Sequence, residues 1–165
     1  YATGSEDVDA MLAAIEKNLD ALHALNDAIP DAKLSAEMDR MERAGRGILQ
    51  AVEANPDKAG QIDRFARYYL PEVIKILAMY ARIEKEFADI GFEDKNKRAP
   101  FDTVVQGGIE GKNSQKILSE VRANAATMAT AFENQLDSLY SAEAMDISTD
   151  IQVLDTILKS QNLAD

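Results

Sequence analysis

The sequence predicts an all-α protein, an antiparallel bundle of four to five helices with a long central helix kinked at Pro71. Three observations predict it. Apolar residues recur with helical period along almost the whole chain, and the alternation of a half-buried strand is nearly absent. Proline-marked breaks at Ile29-Pro30 and Asn55-Pro56 separate the first long stretches by very few residues. Connectors that short favour antiparallel neighbours, as in an up-and-down bundle.

The first helix follows from Val8, Met11, Leu12, Ile15, Leu19 and Leu22, with Thr3 and Glu6 spaced as a capping box ahead of it. A second stripe, Leu34, Met38, Met41, Gly45, Ile48 and Val52, alternates spacings of four and three, which makes a heptad seam. Asn55-Pro56 then supplies an N-cap residue with proline in the first helical position. The third and longest helix is expected from about 57 to 90 on Ile62, Ala66, Tyr69, Val73, Ile76, Tyr80, Ile83, Phe87 and Ile90. Pro71 lies inside it without breaking that phase. The apolar face must therefore point inward on both sides of the proline, which predicts a kink and not an end.

Residues 91–111 hold four glycines, one proline and no helical stripe, so they read as a long connector, functional or mobile. Within it, Phe101 to Val105 is the one stretch with local strand character. A fourth helix carries Leu118, Val121, Ala125, Met128, Phe132, Leu136 and Leu139. A last short one carries Ile147, Ile151, Leu154 and Leu158, its start marked by Asp146, Ser148 and Thr149. The seams predict a core of Ile62, Tyr69, Val73, Ile76, Ile83, Leu118, Val121, Met128, Phe132, Leu136 and Leu154. A single domain spans 1–165, made of an N-terminal helical hairpin at 1–54 and a second region at 55–165.

The chain has 165 residues, 46% of them apolar, enough to bury a core without covalent staples. It has no cysteine, which removes disulfides, thiolate metal sites and a cysteine nucleophile, and which fits the cytoplasm. The net charge is −11. Residues 1–54 hold 5 basic and 11 acidic side chains (−6), residues 55–111 hold 9 and 10 (−1), and residues 112–165 hold 4 and 8 (−4). A surface this acidic repels nucleic acid and anionic lipid and suits a basic or neutral protein partner. No stretch is long and apolar enough for a membrane span. The abrupt opening at Tyr1 leads us to expect an upstream segment, with membrane association through it.

Residues 65–80 (FARYYLPEVIKILAMY) and 132–163 (FENQLDSLYSAEAMDISTDIQVLDTILKSQNL) resemble the 5-bromo-4-chloroindolyl phosphate hydrolysis protein family, also called XpaC-like. The specific parts are the Tyr-Tyr-Leu-Pro string and the pattern from Phe132 through Met145-Asp146-Ile147 to Leu154. The connector at 91–111 and the Gln161-Asn162-Leu163 ending depart from the family. The resemblance implies a link to hydrolysis of a chromogenic phosphate ester without supplying catalytic residues. It also implies membrane segments ahead of the helical region and a toxic-anion-resistance protein as partner.

A single histidine, His23, excludes a mechanism that needs two. Asp7-Val8-Asp9 is a paired-aspartate string, yet it opens an amphipathic helix, where acidic residues favour the macrodipole. Glu16, Asp20, His23 and Asp27 read as a solvated helical face, because a di-metal bundle site needs two Glu-x-x-His motifs. Gly107 to Ser114 lacks the spacing of a phosphate loop. Tyr69 and Tyr80 belong to the core seam, while Tyr68 lies off it and is a candidate contact. If the second and third helices fold back at Asn55, Arg43 faces Arg67 and Arg46 faces Arg64, a candidate anion or partner site.

The expectation is therefore a non-enzymatic helical interaction or scaffold domain with a protein partner and no cofactor or metal. A phosphoric monoester hydrolase, or an accessory to one, is the alternative, and an anion-binding sensor is the second.

Overall fold

A computed structural model gives the fold, and it describes residues 1–89, 109–141 and 143–164. Helix α1 spans Glu6–Ala28 and α2 spans Ala32–Ala54. A bridge follows, a 3₁₀ segment at Pro56–Ile62 and a π-helical turn at Phe65–Tyr69, which runs straight into α3 at Leu70–Asp89. Then come α4, Ile109–Ser138, and α5, Ser148–Ala164. No strand occurs among the described residues, so the chain is all-α as its periodicity requires. The connector expected at 91–111 falls mostly outside them, as do Phe101 to Val105 and Gly107-Gly108. Residues 109–114 are helical, the first turns of α4, so they form no phosphate loop.

The cap of α1 differs from expectation. Ser5, not Thr3, holds the N-cap, its Oγ accepting from the Val8 N–H at 3.3 Å. Thr3 instead donates to Asp9 Oδ1 from its backbone N–H at 2.9 Å and its hydroxyl at 2.7 Å. Asp31 caps α2 by accepting from the Leu34 N–H at 2.8 Å.

Cross-helix partners give the topology. Arg46 meets Asp20, and Asn26 meets Asp39, so α1 and α2 are antiparallel. Tyr69 meets Phe132, and Tyr80 meets Arg122, so α3 and α4 are antiparallel too. Helix α2 packs on α4, with Arg40 against Glu133 and Gly47 against Leu136. The numbers rise together, so these two helices run the same way. Helix α3 packs on α1, α4 and α5. The expected neighbour relation of α2 and α3 is corrected here. They stand across the bundle from one another, each packing on α1 and α4, and the bridge crosses between them at one end. Tertiary packing of the two hairpins overrides the inference from connector length.

Glycine makes the crowded position of α2 feasible. A Cβ at Gly47 would lie 2.9 Å from Leu136 Cδ2, and one at Gly45 would meet the Leu19 side chain. The two glycines, two residues apart, face different neighbours, α4 and α1.

Pro71 acts through the π turn. It has no N–H to donate, and in regular α geometry its ring would press on the Arg67 carbonyl. The backbone widens instead, and the Leu70 N–H reaches back to the Phe65 carbonyl. The extra residue moves the seam. Phe65 is fully buried, while Ala66, expected on the seam, is only half-buried. Phe65 and Tyr69 both pack on Phe132, with ring centroids 5.1 and 5.8 Å away. Pro71→Ala is expected to leave this turn in place and to raise stability by less than the ~3 kcal/mol a proline costs in a regular helix. A urea melt checks it, and a destabilised variant would show that the proline holds the turn.

Ten of the eleven expected core residues are buried. Leu136 is half-buried, and the adjacent Gln135 takes the interior position at 2% exposed. The Gln135 side-chain amide donates to Ser138 Oγ at 3.0 Å, and the Ser138 hydroxyl donates to the backbone carbonyl of Gln135 at 2.7 Å, so both buried donors have partners.

Candidate functional site

A concavity of about 570 Å³ lies at the bridge end of the bundle, between α1 and the bridge. One wall is Asp7, Ala10, Met11 and Ala14, a single stripe of α1. The other is Ala59, Gly60, Asp63, Ala66 and Arg67. These residues converge because the bridge must cross the end of the bundle to connect α2 with α3. Both walls are mostly small and apolar, with Asp7, Asp63 and Arg67 at the rim. Arg67 Nε donates to Asp63 Oδ1 at 2.8 Å.

The candidate arginines do not form one cluster, because their two segments are not neighbours. Arg46 pairs with Asp20 at 3.0 Å and Glu42 at 3.2 Å. Arg43 lines with it a smaller concavity of about 370 Å³ on α2, where Asp39 and Glu42 match the two cations. Arg64 turns to the start of α5, donating to Ser148 Oγ at 2.7 Å. Arg67 alone lines the groove. Tyr68 is 53% exposed on the π turn, off the seam as its position predicts. Tyr69 is buried, which raises its phenol, and the Tyr80 hydroxyl accepts from Arg122 at 3.2 Å.

Sequence reasoning missed Arg40, which joins α2 to α4 through Glu133 at 2.5 Å and Thr130 at 3.1 Å and pairs with Glu37 of its own helix at 2.5 Å. The nitrogens of His23 lie 2.9 Å from Glu42 and 3.7 Å from Asp27, and Glu42 raises the ring's pKa. No group of three or more metal-ligating side chains occurs among the described residues. Among them, too, no helix is long and apolar enough to cross a membrane.

Glu72 on α3 lies against Asp155 on α5, with its Oε2 buried and lacking a hydrogen-bond partner. Burial first, and the neighbouring Asp155 carboxylate second, push its pKa from 4.5 up to about 7. The folded state thus holds a proton that the unfolded chain releases, so stability falls as pH rises from about 4.5 to about 7. His23, also raised, adds a decline of the same sign above the ordinary histidine range. Glu72→Gln is expected to flatten the acid side of this profile in urea melts taken across pH 4.5 to 8. An unchanged slope below pH 6 would remove Glu72 as its source.

The fold and the groove define a helical bundle with one open, apolar-lined end. No family model, curated protein or solved structure matches the chain.

Proposed function

We propose that this chain is a non-enzymatic interaction domain that receives a partner protein in the groove between α1 and the bridge. The groove itself carries the reading. Ala10, Ala14 and Gly60 are exposed on its walls, and Val8, Met11 and Ala66 are only half-buried. Concave apolar surface on helices gains free energy when another apolar surface covers it.

The same lining is poorly suited to phosphoryl transfer. That chemistry needs a nucleophile or metals, plus donors aimed at the phosphoryl oxygens. Here the single guanidinium, Arg67, is tied to Asp63, and Asp7 repels an anion. The XpaC-like resemblance of the second half adds a setting to this proposal. On that resemblance we propose membrane association through a segment upstream of Tyr1, with a toxic-anion-resistance protein as the first partner to try. Incubating the purified protein with 5-bromo-4-chloroindolyl phosphate, with and without Mg²⁺, Mn²⁺ or Zn²⁺, tests the non-enzymatic part. A flat trace is expected. Metal-dependent turnover lost on a single substitution would overturn the reading.

A further inference from the structure

We infer that the occupant of the groove is a cationic amphipathic helix, an inference that rests on the interaction reading above. Shape and charge argue for it separately.

The α1 wall repeats at helical spacing, Asp7, Ala10, Met11 and Ala14, and the bridge wall runs Ala59, Asp63 and Ala66 opposite it. Small side chains let another helix lay an apolar stripe between two such walls, as in helix-in-groove recognition. The space above Gly60 is open, since an added Cβ would meet nothing within 4 Å.

Charge chooses among helices. Asp7 is exposed on the rim with no ion-pair partner among the described residues. Glu6 and Asp9 share its helical turn, and two hydrogen bonds from Thr3 hold the Asp9 carboxyl below its usual range, so it stays ionised. Asp63 offsets Arg67, which leaves the mouth net negative. Residues 1–54 carry −6 behind it. An acidic helix or an anionic lipid surface is repelled here, whereas lysine or arginine flanking an apolar stripe is attracted.

The test uses the intact chain and three fluorescein-labelled peptides followed by anisotropy. One carries a Leu/Ala stripe flanked by lysine, one the same stripe flanked by glutamate, and one the lysine composition scrambled. The striped lysine peptide should bind at least about tenfold tighter than either other, and salt should weaken it. Ala14→Trp fills the groove from an exposed position and should cost about tenfold or more, with circular dichroism and melting unchanged. Asp7→Lys should shift preference toward the glutamate peptide. Equal binding of the scrambled peptide, or no effect of Ala14→Trp, would overturn the inference. Equal binding of the two striped peptides, still blocked by Ala14→Trp, would overturn the charge assignment while the groove survives. Phosphate-ester turnover, by contrast, would strike the functional reading itself.

Discussion

Replacing Phe132 with alanine is expected to lower the unfolding free energy by about 3–5 kcal/mol. The ring is fully buried and meets Phe65 edge-on at 5.1 Å and Tyr69 at 5.8 Å. Truncation removes the transfer free energy of a whole ring and leaves a cavity that cannot collapse easily. Its walls are two aromatic rings fixed by the π turn, and the backbone there is already committed to an unusual geometry. Aromatic pairs of this kind also contribute about 0.5–1.5 kcal/mol beyond area. A chemical melt reads the loss. A change below about 1 kcal/mol would mean that the aromatic trio does not anchor α4 to the bridge.

The second large effect concerns Gly45, where Gly45→Val is expected to destabilise by about 1–3 kcal/mol through overpacking. Glycine in a helix interior ordinarily costs roughly 1 kcal/mol against alanine, so most replacements there would stabilise. Here a Cβ would sit 3.3 Å from Leu19 Cδ1, 3.5 Å from Leu19 Cγ and closer still to Cδ2. Leu19 is fully buried and cannot swing into solvent to make room. Pairing Gly45→Val with Leu19→Ala should recover part of the loss, giving a favourable coupling in a double-mutant cycle. Full additivity of the two losses would contradict the close approach of α1 and α2.

The parts of this fold legible in the sequence are those set by local pattern. The helices of the first hairpin and the interiors of α3 and α4 follow from heptad seams, and nearly all of those residues are buried. The π turn was not legible, because one inserted residue leaves the apolar count unchanged while it moves burial from Ala66 to Phe65. Hydrophobicity points to Leu136, whereas helical phase points to Gln135. The spacing of Val121, Ala125, Met128 and Phe132 continues to Gln135, the residue that is buried. The proposed facing of Arg43 with Arg67, and Arg46 with Arg64, failed for a non-local reason. Nothing in the bridge says that it crosses the bundle and does not fold back along α2. The groove was hidden for the same reason, since its walls come from residues about fifty positions apart. Only Tyr68, off the seam, and Arg67 pointed toward that end.

Photo-crosslinking from within the groove tests the interaction account most directly. A benzophenone side chain at exposed Ala14, in the protein expressed in its own cells, reports what lies between α1 and the bridge. The same group at exposed Gln152 on α5 serves as the control. The account predicts a discrete protein adduct from Ala14 that Gln152 does not give, and its loss when Asp7→Lys is added. No adduct from Ala14, or the same adducts from both positions, would contradict it.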